Sequence, residues 1–312
     1  MIEIFLVVFP VFLVVGAGYA SNYFKFFKDD YADALMKFTQ NFAIPCLLFN
    51  AIATLDLPTV FKPQLLGAFY VGSVTCFLLS TFGARYLFQR RSGEAVAIGF
   101  CALFANSVLL GFPIVERAFG ADALGPITAI ISVHAPFCYL LGITTMEFAR
   151  ADGRALPATI KVVTKAMFSN ALMISLSLGF FVNVTDFWLP QGIWDATEMM
   201  AHAALPAALF GLGAVLVRYG LAPNIGETAM VLLLRLVVHP AIALIMSTQV
   251  FSLTTPVTQV VVLTAAMSPG INTFVFASMY DRAKVAAASG VLLGTICAIF
   301  SVTIWLAILR AL

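Results

Sequence analysis

Charge is what this chain has least of. Only 10% of its 312 residues are Asp, Glu, Lys or Arg, against 62% that are hydrophobic. A soluble domain carries about 25% charged residues, so this composition excludes a sizeable water-facing domain. The formal net charge of +2, with its basic residues scattered, leaves no footprint for a nucleic acid. Cys46, Cys76, Cys101, Cys138 and Cys297 all fall inside apolar stretches without CxxC spacing, which argues against a disulfide framework or a zinc site and leaves packing roles. GxSxG, HExxH, P-loop and GxGxxG patterns are missing, and the histidines are widely spread. The sequence therefore gives no sign of an enzyme, a resident metal or a cofactor. Short alternating strands of an outer-membrane barrel are missing too.

What remains is a series of long apolar runs. At roughly 20 residues per span, ten helices use about 200 residues and leave only short connections. Hydropathy places the spans near 2–20, 33–54, 64–88, 94–117, 123–147, 159–183, 195–217, 228–250, 255–280 and 284–309. The amino-terminal run lacks a basic leader region and reads as the first span, not as a cleaved signal. Thirteen of the seventeen Lys and Arg residues fall in or beside the loops after spans 1, 3, 5, 7 and 9. Short basic loops stay in the cytoplasm, so both termini are expected on the outer side.

An internal repeat is visible. Asn41 to Phe49 (NFAIPCLLF) overlies His202 to Phe210 (HAALPAALF) at an offset of 161, which also sets Gly18 over Gly179. Residues 105–115 overlie 266–276 at about the same offset. Two halves of five spans follow, 1–150 and 159–312, joined by a connection at 151–158. Because five is odd, the second half enters the membrane inverted. The fourth span of each half carries Gly and Pro in its middle, as Gly111-Phe112-Pro113 and as Pro269-Gly270-Ile271-Asn272. Helix interiors disfavour both residues, and paired interruptions in matching spans point to a substrate site near the bilayer midplane.

The polar side chains around these breaks are the candidate site. Half-helix amino termini offer N–H groups and partial positive charge to an anion such as a carboxylate. Asn106 and Ser107 precede the first break, and Asn272 and Thr273 sit in the second. Each either binds a ligand or satisfies the carbonyls that a broken helix releases. Span 2 adds Gln40, Asn41 and Asn50 around Pro45, and span 7 adds His202 and Pro206. Of these, Asn41, Pro45 and Pro206 join the substrate-site candidates, whereas Asn50 reads as helix-packing glue. His134, mid-span 5, is a ligand donor, a proton carrier or a structural hydrogen bonder. Arg235 and His239 lie within span 8, where Arg235 is expected to snorkel toward one face. No acidic pair occupies a span centre, which disfavours a sodium/proton antiporter built on buried aspartates.

These residues resemble the auxin efflux carrier family. The most specific stretch is Asn106-Ser107-Val108-Leu109-Leu110-Gly111-Phe112-Pro113, similar to that family's Asn-x-x-x-x-Gly-x-Pro. Ile44-Pro45 with Phe49, Leu205-Pro206 with Phe210-Gly211-Leu212-Gly213, and Phe274-Val275-Phe276-Ala277 support it. The resemblance implies an all-α polytopic membrane protein of ten spans in two inverted five-helix repeats. Broken helices 4 and 9 would cross, as in sodium/proton antiporters and bile-acid symporters. Spans 1, 2, 6 and 7 would form a scaffold, and spans 3–5 and 8–10 a transport domain. It further implies a secondary carrier, by preference an exporter, that moves a small organic carboxylate across a bacterial inner membrane. Asn106 would touch the substrate, His134 would line the cavity, and Asp56 would aid coordination or protonation. A homodimer is what the family would allow. Thr273 stands where the second crossover often has Pro, and the long cytoplasmic loop of many plant exporters is missing. The alternatives are a sodium-coupled symporter of the bile-acid type and an anion sensor or channel that does not cycle.

Overall fold

A computed structural model describes residues 2–60, 62–150, 171–219 and 225–312, and the named elements in it are all helical. In chain order they are α1 (Ile2–Tyr23), α2 (Asp29–Phe38), α3 (Ile44–Ala53), α4 (Pro63–Tyr86), α5 (Ser92–Leu103), α6 (Phe112–Phe119) and α7 (Leu124–Arg150). Then follow α8 (Ala171–Thr185), α9 (Gln191–Leu216), α10 (Ile225–Leu233), α11 (His239–Ile245), α12 (Thr255–Ala265), α13 (Asn272–Tyr280) and α14 (Lys284–Leu309). Among the described residues, Pro63–Tyr86, Ala121–Ala149, Gln191–Leu216, Ile225–Val250 and Lys284–Leu309 are each long and apolar enough to cross a membrane. Large apolar side chains such as Leu78, Leu79, Phe82, Phe300 and Ile304 are exposed on these helices, as lipid-facing surfaces require. The expected connection at 151–158 and the start of span 6 lie outside the described residues.

Prolines explain three of the four widened turns among the described residues; the fourth, at Met246–Val250, has none behind it. A proline inside a helix lacks an N–H, and its ring presses on the carbonyl four residues earlier. A widened turn lies just ahead of Pro45, at Thr39–Ala43, and just ahead of Pro113, at Ser107–Gly111. A third, at Leu234–Val238, precedes Pro240. Each widened turn contains the carbonyl that the ring would strike. In the third case the released Leu236 carbonyl is taken up by α14: Trp305 Nε1 donates to it at 2.8 Å and Ser301 Oγ at 2.9 Å.

The chain divides into two compact units. One gathers the described residues of Pro10–Phe61 and Lys161–Arg218. Here glycine lets backbones touch. A Cβ at Gly18 would collide with the Phe210 carbonyl, and one at Gly213 with that of Val15, so α1 and α9 pack main chain to main chain. A Cβ at Gly179 would lie 3.0 Å from the Phe49 carbonyl oxygen, a close though looser approach of α8 to α3. Asn183 Nδ2 reaches the Ile52, Ala53 and Leu55 carbonyls at 3.0, 3.2 and 2.7 Å and so caps the end of α3. Asn50 accepts a hydrogen bond from Thr197 at 2.8 Å, the helix-to-helix role read from its sequence position.

The other unit gathers the described residues of Met1–Phe9, Lys62–Ile160 and Tyr219–Leu312. Helices α4 and α5 pack closely, with Gly99 leaving room for Thr81 and with Ser73 Oγ donating to the Leu103 carbonyl at 3.0 Å. At the start of α10, Glu227 is buried, its side chain 1% exposed, and it accepts both Nε and Nη2 of Arg90 from the α4–α5 loop. The hydrogen bond to Glu227 raises the pKa of Arg90 further. Removing one partner of a buried pair strands the other. Arg90→Ala is therefore expected to destabilise the protein by about 3 kcal/mol, the low end of that range because Arg90 itself reaches solvent. Arg90→Ala combined with Glu227→Gln should recover part of the loss. Thermal unfolding of the purified single and double variants measures both.

Candidate functional site

The two interrupted helices of the second unit meet at their breaks. α5 ends at Leu103 and helix resumes at Ser107, while α12 ends at Ala265 and α13 begins at Asn272. Between the ends, Ala105 and Pro269 form an isolated antiparallel bridge. The Asn106 amide donates to the Ser268 carbonyl at 2.9 Å, and the Gly270 amide donates to the Phe104 carbonyl at 3.0 Å. Each break thus satisfies backbone groups that the other has freed. In hydrocarbon there is no water to do it.

The rest of the backbone accounting involves side chains. His134 Nε2 accepts the Ala105 amide at 2.9 Å, which sets the ring's proton on Nδ1, facing Tyr70 Oη at 3.5 Å. Tyr70 Oη in turn donates to the Ile130 carbonyl at 3.1 Å. Thr273 Oγ1 donates to the Gly270 carbonyl at 2.8 Å and holds the second break's turn. Arg235 Nε donates to the Met267 carbonyl at 3.0 Å, and its Nη1 lies 3.4 Å from that of Ala102. Gly270 permits the crossing itself, since a Cβ there would sit 3.2 Å from the Ala105 carbonyl oxygen.

Beside this crossing Asn106 Nδ2, Ser268 Oγ and Arg235 Nη2 are buried without a hydrogen-bond partner among the described residues, as is Thr128 Oγ1 on α7. Asn106 is 4% exposed and caps the resumed helix without bonding it by its side chain. The first amides of that helix, at Ser107, Val108 and Leu109, have no carbonyl one turn earlier to bond. An amide nitrogen, a hydroxyl and a helix amino terminus make a set rich in donors, suited chemically to an anion.

Several expectations need correction. The first break lies at Phe104–Asn106, upstream of Gly111-Phe112-Pro113, because a widened turn absorbs Pro113 and keeps 107–119 helical. Gly111 and Pro113 are buried within that half-helix, where Gly111 clears space for Met267, 3.3 Å from the place of a Cβ. Arg235 does not snorkel: it is 0% exposed, because the carbonyls at the helix breaks hold it inside. His134, 2% exposed, is engaged as a cap for the first break.

Asn106, Ser107, Gly111, Pro113, His134, Pro269, Asn272 and Thr273 all belong to this unit, with Asn272 half-buried at the start of α13. Asn41, Pro45, Asp56 and Pro206 belong to the other. There Asn41 is exposed on a widened turn, Pro45 is buried at the start of α3, and Pro206 is exposed within α9. Asp56 is exposed past the end of α3, on a surface pocket of about 510 Å³ shared with Asn183, Asp186, Trp188 and Trp194. Tyr70, Ser73, Thr128 and Ser268 escape sequence reasoning, because a serine, threonine or tyrosine in an apolar run usually needs no partner outside its own turn. Arg235 and His239 did carry a signal, two ionisable groups four residues apart and hence on one helix face.

Residues 3–306 match the family described as membrane transport protein. Among curated relatives, the uncharacterized transporter YfdV of Escherichia coli (strain K12) is 26% identical over 283 residues, 87% of each chain. A putative malonate transporter of Rhizobium meliloti (strain 1021) is 23% identical over 319 residues, covering 100% of this chain and 97% of its own. Auxin efflux carrier component 8 of Arabidopsis thaliana is 22% identical over 345 residues, 93% of each.

The capping role of His134 is testable apart from transport. His134→Ala orphans the buried Ala105 amide and should cost about 1–3 kcal/mol. His134→Gln keeps an acceptor at comparable reach and should cost less. Thermal denaturation of the purified variants distinguishes them, and equal losses would remove the capping role.

Proposed function

Because the chain belongs to the membrane transport protein family, that of the auxin efflux carriers, we propose that it moves a small organic carboxylate across a bacterial inner membrane by alternating access. It is a multi-pass transporter and not an enzyme. The observation that carries the finer reading is the crossing of the two breaks, where the Asn106 side-chain amide nitrogen is buried, and unpartnered among the described residues, at a half-helix amino terminus. Discontinuous helices whose amino termini face an anionic group are a recurring carrier solution near the bilayer midplane. Asn106, Ser107 and the amides after them bind the carboxylate. Gly111, Pro113, Pro269 and Gly270 shape the crossing, His134 and Thr273 hold its backbone, and Asn272 opens the second half-helix. The likeness to a putative malonate transporter agrees with a carboxylate cargo.

Ten spans in two inverted repeats, 1–150 and 159–312, fit the packing of equivalent residues. Gly18 meets Phe210, and Gly179 meets Phe49, so two residue pairs at the same offset of 161 make reciprocal contacts. The unit of 62–160 and 219–312 holds the crossing and acts as the moving carrier. The unit of 10–61 and 161–218, which carries Asn41, Pro45, Pro206 and Asp56, is the scaffold. The distribution of Lys and Arg puts both termini in the periplasm.

Radiolabelled counterflow in proteoliposomes, run with malonate, malate, succinate and indole-3-acetate, tests the reading. One carboxylate should exchange, and Asn106→Ala should reduce its transport by about 10- to 100-fold, the worth of a hydrogen bond to a charged group. Folded, inserted protein that binds a carboxylate without exchanging it would be a sensor and would overturn the proposal.

A further inference from the structure

Arg235 sits fully buried in the unit that holds the crossing, and no carboxylate pairs with it among the described residues. A lone cation in an apolar interior needs compensation from somewhere. Its partners supply it. Nε donates to the Met267 carbonyl, just past the end of α12, and Nη1 points to the Ala102 carbonyl in the last turn of α5. These are the carboxyl-terminal ends of both interrupted helices, each equivalent to roughly half a negative charge, so that together they offset about one positive charge. Nη1 also donates to His239 Nδ1, and His239 Nε2 donates to the Phe69 carbonyl at 3.0 Å. With one ring nitrogen accepting and the other donating, His239 is a neutral relay that fixes the guanidinium's position. Gly72 makes room for the ring, since a Cβ there would lie 2.6 Å from His239 Cδ2.

In carriers built on broken helices, unwound carbonyls and half-helix carboxyl ends are the usual seat of a coupling cation. We propose that Arg235 is a permanent internal cation in that seat, replacing a bound alkali ion, so that the crossing is charged for an anion without sodium. Arg235 is a positioning residue: it holds the two carboxyl ends together while the substrate meets the amino ends. Its Nη2 has no partner among the described residues, so the guanidinium keeps a donor in reserve. The covalent tether also means that this charge travels with the helices instead of being released on either side.

The inference rests on the carrier reading only in its transport arm, and a stability arm stands without it. In that arm, the melting temperature of the purified wild-type protein is compared in sodium and in choline salts of matched ionic strength, and no difference is expected. Arg235→Gln empties the seat and should lower the melting temperature by about 5 °C or more. Sodium or guanidinium, but not choline, should recover most of that shift. Arg235→Lys, which keeps the charge but not the fork, should fall between. A purely structural arginine would show the same loss with no cation-specific recovery, and that result would overturn the proposal. If Arg235→Gln cannot be purified, Arg235→Ala, which also empties the seat, is prepared with and without guanidinium: recovery of folded protein by guanidinium but not by choline supports the proposal, and a loss that no cation reverses, or stabilisation of the wild type by sodium, overturns it. In the transport arm, wild-type carboxylate exchange should be equal in sodium and choline, and a sodium requirement beyond about tenfold would overturn it. Failure of every carboxylate to exchange would sink the carrier reading and leave the stability result standing.

Discussion

Everything in the larger unit follows from one constraint: a helix broken inside a membrane exposes backbone donors and acceptors that neither lipid nor water will take. Here the two breaks face each other and pay that debt mutually, Asn106 to Ser268 and Gly270 to Phe104. What the breaks cannot exchange is taken by Ser73, His134, Thr273 and Arg235, each from a position fixed by a neighbouring helix or by the turn itself. Removing the crossing would leave these side chains without purpose. Removing the side chains would leave the crossing unsatisfied.

This division also explains why the candidate site is where it is. Carbonyl-rich carboxyl ends gather cationic and donor groups, of which Arg235 is the strongest. At the amino end of the first resumed helix the Asn106 Nδ2 lies buried and without a partner among the described residues. The dipoles of the half-helices thus separate a side that the protein neutralises for itself from a side suited to a bound anion.

The smaller unit solves a different problem, that of bringing helices together without a hydrophobic force between them. Lipid is as apolar as leucine, so association depends on close packing and interhelical hydrogen bonds. Gly18, Gly213 and Gly179 bring main chains close, and Asn183 and Asn50 tie helices by side-chain hydrogen bonds. Prolines play their part in both units through widened turns, which keep a helix running past a residue that would otherwise break it.

Composition and pattern alone established a helical multi-pass membrane protein and most of its helix positions, because hydropathy is a local property. The second break was also legible, since Pro269 and Gly270 are adjacent and no widened turn rescues them. The first was read too far along the chain. Gly111-Phe112-Pro113 looks like a breaker, yet Pro113 is tolerated in an early turn, and the true interruption at Phe104–Asn106 contains no Gly or Pro at all. Only tertiary structure decided that, because Asn106 leaves the helix for a carbonyl more than 160 residues away. The same holds for Arg235 and His134. Their sequence positions announced ionisable groups in a membrane, but whether each snorkels, binds or caps depends on which orphaned backbone group lies within reach, and that is a property of helices packed from distant parts of the chain.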